Sequence, residues 1–274
     1  MLTDYQISML SSVKNLIAGS WYRNTPPIRI LDSGCDTSGH QLRHLAALTR
    51  GEVVGINPAP GFPSDAARAT SGERVTLLSM DGCALDFPDH SFDLVLSANV
   101  MEHVPDPQRY VRECARVLKP GGLAYIETAP VWSGPRGHHI HEDMVVGAVP
   151  EDTGYRNDGT VIPDWSHLRL DAGGMRSQLA GRLRTETINY IIHYLYETDD
   201  LNRRGWMEIE AALRQSFPHF LQLTTWPAGN ARESLMPTDG SDDYSVYGFR
   251  AICRHRPPNP IARRLIWRLR RLGL

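Results

Sequence analysis

The sequence predicts an α/β protein: a seven-stranded, mostly parallel sheet with an antiparallel last strand and a helical cap inserted over one edge. Three observations predict it. From residue 28, short β-branched or leucine-rich runs alternate with helix-like stretches. Over about 131–205 that rhythm gives way to a segment rich in Gly, Pro, His and Trp. It then resumes and ends on a long strand-like run, YSVYGFRAIC at 244–253. At 274 residues and 41% hydrophobic, the chain can bury one large core.

Taken in order, residues 1–27 form an N-terminal helical segment with no basic stretch leading into a continuous apolar one, so no secretory leader is expected. The strands follow as IRILDS (28–33), EVVGIN (52–57), VTLLSM (75–80), FDLVLS (92–97) and LAYIET (123–128). Between the last two, Pro107 suits a first helical turn, Tyr110, Val111, Cys114, Val117 and Leu118 make an apolar stripe, and Gly121–Gly122 are expected to stop the helix. Within the insertion, Asp171 is a candidate N-cap. After it come a helix around 199–216 and a strand around 219–226. The division is thus 1–27, a catalytic domain at 28–254 carrying the insertion, and a basic tail at 255–274.

Composition narrows the function. Cys35, Cys83, Cys114 and Cys253 are far apart with no C-x-x-C spacing, which argues against a zinc ribbon or a disulfide framework and for a reducing, cytoplasmic setting. No run of about 18 apolar residues offers a membrane span. Seven of the 29 basic residues lie in 254–274, which holds no acid, leaving 22 against 31 acids elsewhere. An acidic body argues against nucleic acid as a partner. In the tail, Ile261, Leu265, Leu269 and Leu272 line one helical stripe and Arg264, Arg268 and Arg271 another. Such a helix suits either packing against the body or a second subunit, making a homodimer, or peripheral contact with the inner membrane face.

In open α/β sheets ligands bind beyond the carboxyl ends of the strands, so the residues after each strand carry most weight. Here they read ILDSGCDTSGH (30–40), GIN (55–57), MDGCALDFPDHSFD (80–93) and SANVMEHVPDP (97–107). With RVLKPGGLAYIETAP (116–130), these segments resemble the class I S-adenosylmethionine (SAM) dependent methyltransferases, a Rossmann-like family, over residues 28–128 and especially its small-molecule branch. The resemblance implies SAM as cofactor, with Asp32 and Gly34 at its methionine end and Ser38 in the same turn. It likewise implies Asn57 at the ribose, Asp81 and Gly82 at the adenine, a Ser97 carbonyl at the amino group, and His103, beside Glu102, shaping the pocket. Two departures stand out. Gly34, Asp36 and Ser38 occupy the family's G-x-G-x-G positions, with Gly39 displaced by one, and Asn57 replaces the usual acid.

The chemistry is expected from RGHHIHED (136–143), which leaves the fifth strand beside the fourth-strand loop. Methyl transfer to a hydroxyl needs a base as the bond forms, and histidine titrates in the useful range, which makes His139 or His141 a candidate general base. Glu142 and Asp143 are hard oxygen ligands suited to Mg²⁺. A polar loop without chemistry is the third reading. Trp165 suits stacking on a ring or anchoring a core, and YIIHYLYETDDLNRR (190–204) loosely resembles methyltransferases of saccharides and glycosylated metabolites. The expected activity is O-methylation of a hydroxyl-rich small molecule; the alternatives are N- or C-methylation of another natural product and a non-catalytic SAM-binding protein.

Overall fold

A computed structural model describes residues 3–19, 28–36, 39–59, 74–150, 154–227 and 229–255. Ser38 and the basic stripe of the tail lie outside the described residues.

Seven strands form one sheet: β1 (Arg29–Ser33), β2 (Glu52–Ile56), β3 (Val75–Leu78), β4 (Phe92–Ala98), β5 (Leu118–Thr128), β6 (His219–Pro227) and β7 (Val246–Arg254). Their order is β3-β2-β1-β4-β5-β7-β6. Strands β1 to β5 pair in parallel, whereas β7 runs antiparallel to both β5 and β6. The direction of winding therefore reverses between β1 and β4, the switch point where such sheets leave a crevice.

Helices cover both faces. On one, α1 (Asp4–Gly19) and α2 (His40–Thr49) bury Met9, Leu10, Val13, Leu42 and Leu45 against Ile30, Leu94, Leu96 and Tyr125. On the other, α3 (Pro107–Val117) and α8 (Trp206–Ser216) bury Tyr110, Val111, Cys114, Trp206, Ile209 and Leu213 against Leu31, Val95, Ile126 and Phe249. Strands masked on both sides need apolar residues at every position, which is why they read as continuous runs rather than alternating ones.

The insertion folds as α4 (Glu142–Ala148), α5 (Ser166–Arg169), α6 (Ala172–Leu179), α7 (Thr185–Ile192) and a π-helical turn at His193–Glu197. It has its own core of Ile140, Val145, Tyr155, Met175, Leu179, Ile188, Ile191 and Leu195. Asp171 caps α6 as expected, accepting from the Gly174 amide at 2.7 Å.

Two boundaries differ from expectation. Helix α3 ends at Val117, and Leu118 already pairs with Phe92 at the start of β5, before Gly121–Gly122 are reached. The glycines instead shape an irregularity in that strand. Gly121 has φ +82°, and a Cβ on Gly122 would lie 2.8 Å from the Lys119 carbonyl. Helix α8 starts at Trp206, with residues 199–204 held as a loop. There the Asn202 amide donates to the Met101 and Val104 carbonyls, tying the loop to the turn after β4. Asp242 accepts from the Met207 amide and so supplies the helix start from a distance.

Candidate functional site

A cavity of about 230 Å³ opens at the switch point. The ends of four parallel strands converge on it: Ser33 and Gly34 after β1, Ile56 to Pro58 after β2, Met80 to Gly82 after β3, and Asn99, Val100, His103, Val104 and Pro105 after β4. Tyr110 of α3 closes one side.

Each turn is shaped by its neighbours. The amides of Gly34 and Cys35 both donate to the Ile56 carbonyl, at 2.8 and 3.1 Å, which clips the first turn onto β2. Gly34 has φ +87°, and a Cβ there would sit 2.2 Å from Val100 Cγ2. The Asn57 amide donates to the Cys35 carbonyl at 2.9 Å while its oxygen accepts from the Ala59 amide. A second N–H and a second lone pair of that side chain are left for a ligand. Asp81 accepts from the Cys83 amide at 2.8 Å and lies at the exposed mouth. Beside it, a Cβ on Gly82 would strike the Tyr110 ring at 2.5 Å.

Of the expected cofactor residues, Gly34, Asn57, Asp81, Gly82 and His103 line this cavity, brought together from four strand ends. Ser97 is fully buried beneath it, its hydroxyl accepting from the Tyr110 hydroxyl at 2.8 Å. Asp32 lies inside the sheet layer, its carboxylate accepting from the Gln41 amide at 3.0 Å. Lining residues that sequence reasoning passed over include Asn99 and Tyr110. Asn99 adopts φ +55°, a backbone position asparagine tolerates, and its place directly after a strand was the available signal. Tyr110 was read only as part of the helix's apolar stripe.

Burial pushes the Asp32 carboxyl up to about 7, against the opposing pull of the Gln41 hydrogen bond. Because the folded state holds this proton where the unfolded chain, near 3.9, has released it, stability falls as pH rises from about 4 to about 7. Asp32→Asn is therefore expected to be neutral near pH 4 and stabilising by roughly 2–4 kcal/mol at pH 8 in urea titrations. A variant no more stable than the parent at pH 8 would refute the buried-acid assignment.

The histidine segment is divided by the fold. His138 is buried, its Nδ1 accepting from the Ile140 amide at 3.1 Å, with its ring 5.5 Å from that of His167. His167 donates Nε2 to the Trp132 carbonyl at 2.8 Å, and burial lowers its pKa to about 4. His139 has φ +54° and turns its ring inward, Nε2 donating to the Pro130 carbonyl at 2.7 Å; burial lowers its pKa to about 3. As the candidate general base, His139 is thus a ring that stays neutral at ordinary pH but takes up a proton less readily than a free imidazole. His141, Glu142 and Asp143 are exposed at the start of α4, where His141 and Glu142 bond Asn157 rather than the cavity lining. The acid pair is exposed at a helix N-terminus, where its charge is favourable, and is not among the residues lining the cavity. Trp165 anchors the insertion: it is fully buried and donates Nε1 to the Ser133 carbonyl at 3.1 Å.

Three groups meet at the edge of the cavity, which His103 lines. Glu102 is buried, one carboxylate oxygen accepting from the Thr128 hydroxyl at 2.9 Å, and burial raises its pKa to about 7. His103 donates Nδ1 to the Asp200 carbonyl at 2.7 Å, and its ring centroid lies 5.7 Å from that of His139. This pair of loops, after β4 and after β5, is joined through the tertiary structure alone.

Comparison with known proteins bears on the family and the fold. Residues 31–126 match the methyltransferase domain family. An uncharacterized methyltransferase of Mycobacterium sp. (strain JLS) is 46% identical over 88 residues, covering 32% of this chain and 34% of that protein. Among solved structures, the PH0226 protein from Pyrococcus horikoshii OT3 aligns with a TM-score of 0.52 at 17% identity, over 93% of both chains. The cyclase SpnF aligns with a TM-score of 0.50 at 16% identity, over 90% of this chain and 80% of its own. The two structural likenesses establish the fold. The sequence match spans about a third of the relative's length.

Proposed function

From the premise that the chain carries a class I SAM-dependent methyltransferase domain, we propose that it transfers the SAM methyl group to a hydroxyl of a small, hydroxyl-rich acceptor such as a saccharide or glycosylated metabolite. The observation that carries this reading is the single cavity wall built from four strand ends at the switch point, holding Gly34, Asn57, Asp81 and Gly82 together. In this assignment Asn57 meets the ribose, Asp81 the adenine amino group, and the turn at Gly34 the methionine end.

The residues of the chain chiefly position the two reactants. An acceptor oxygen attacks the methyl carbon in line with the carbon–sulfur bond, the new carbon–oxygen bond forms as that bond breaks, and S-adenosylhomocysteine departs with the electron pair. The hydroxyl proton has to leave as well. The polar cluster of Glu102, His103 and His139 adjoining the cavity assists its departure, in place of the exposed His141. The insertion, with its separate core, supports the role of a cap over the acceptor. Among the described residues no helix is long and apolar enough to cross a membrane, and the four cysteines are free and buried, which supports a reducing compartment.

Isothermal titration calorimetry with SAM, followed by transfer of labelled methyl groups to a panel of saccharides and glycosides, tests the proposal. Absence of SAM binding would remove it, while transfer only to amines or carbon acids would replace O-methylation. Asp81→Ala is expected to weaken SAM binding by about 1–3 kcal/mol through a lost charge-assisted hydrogen bond. Unchanged affinity in that titration would take Asp81 out of the adenine site.

A further inference from the structure

The hydrogen bonds of the cluster at the cavity's edge show which of its ring nitrogens are already engaged. One ligating atom from each of Glu102, His103 and His139 lies within 4.8 Å of the other two. A carbonyl oxygen only accepts, so His103 Nδ1, 2.7 Å from the Asp200 carbonyl, carries a ring proton, which leaves Nε2 as the nitrogen that can take a metal ion. By the same argument His139 holds its proton on Nε2, against the Pro130 carbonyl, and keeps a lone pair on Nδ1. Glu102 is oriented by the Thr128 hydroxyl. Two imidazoles, each hydrogen-bonded through one nitrogen to a backbone carbonyl, and a hydrogen-bonded carboxylate reproduce the outer bonds that orient metal ligands.

We propose that Glu102, His103 and His139 bind a divalent first-row transition ion at the rim of the proposed SAM cavity. Two imidazoles and one carboxylate suit a borderline ion such as Zn²⁺, Co²⁺ or Fe²⁺, whereas Mg²⁺ favours an all-oxygen set. Ligation at about 2.0–2.2 Å requires the three groups to draw together, and the exposed His103 side chain has the freedom to do so. Three protein ligands leave coordination positions open, and His103, one of the three, lines the cavity. There the ion accepts an acceptor oxygen and lowers the pKa of its hydroxyl. The hydroxyl proton passes to water, and the resulting alkoxide takes the methyl group. This last role rests on the methyl-transfer reading; binding of the ion does not.

The test uses the untagged full-length protein, stripped with a chelator and titrated with Co²⁺ while its visible absorption is followed, with Zn²⁺ as competitor. The expected result is saturable binding of one equivalent with a Kd below roughly 10 µM, displaced by Zn²⁺. His103→Ala, which alters an exposed ring, and Glu102→Gln should each weaken it by at least about tenfold. Circular dichroism of each variant checks folding. Absence of saturable binding below roughly 100 µM, or unchanged binding in His103→Ala, would overturn the site. Calorimetry with SAM on the same samples separates the two proposals: Co²⁺ binding without SAM binding retains the metal site and sinks the methyl-transfer reading, and the converse does the opposite.

Discussion

Replacing His103 by alanine is expected to lower kcat for methyl transfer by about 10²–10⁴-fold, the range over which a positioned proton-transfer or metal-ligating group contributes. Among the described residues His103 is the one imidazole lining the cavity, and its Nδ1 is already engaged by the Asp200 carbonyl. Nε2 is therefore the ring nitrogen left for chemistry. SAM affinity should change by less than about tenfold if the interaction that truncation removes is one made in the transition state. Residual activity should rise with pH as the acceptor ionises unaided. His103→Gln separates chemistry from structure, since its amide can still donate to Asp200 but supplies no basic nitrogen. Initial rates with labelled SAM would show the glutamine variant as slow as the alanine one. Recovery of the parental rate in His103→Gln would reduce His103 to a positioning role.

Gly34→Ala is expected to weaken SAM binding by on the order of 10²-fold and to lower Tm by about 5–10 °C. Two costs combine. A left-handed backbone at φ +87° costs a residue with a Cβ about 1–2 kcal/mol, and the new methyl group would lie 2.2 Å from Val100 Cγ2. Overpacking of that kind typically adds about 1–3 kcal/mol, and valine has few rotamers with which to yield. Relief of the strain by movement away from the Ile56 carbonyl would displace the methionine end of SAM in the proposed assignment. Gly34→Ala combined with Val100→Ala should recover the steric part of the loss and leave the backbone part. If calorimetry and thermal melts show the single variant within twofold and about 1 °C of the parent, the close approach of the turn to the cofactor is wrong.

The local sequence determined those features that depend on short-range chemistry. Apolar runs from Ile30 to Ile126 fix a parallel sheet because both of its faces are masked, and the glycine at 34 fixes a left-handed turn at the crevice. Asp171 caps its helix through an amide only three residues away. Features that depend on a distant partner were decided by the tertiary structure. Val117 ends α3 because Leu118 finds a strand to pair with, and α8 starts at Trp206 because Asp242 reaches its first turn while Asn202 is taken by the loop after β4. RGHHIHED shows the same division most sharply. Its eight residues are contiguous in the chain, yet a turn closed by hydrogen bonds from Gly137 to Gly134 and from His139 to Arg136 sends His138 and His139 into the interior, whereas α4 carries Glu142 and Asp143 outward. Burial then makes His139 a neutral ring, and the fold sets it beside Glu102 and His103 from another loop. Sequence proximity supplies the functional groups; which of them desolvate and meet is decided by packing, because the cost of burying a polar group depends on partners that the local sequence does not contain.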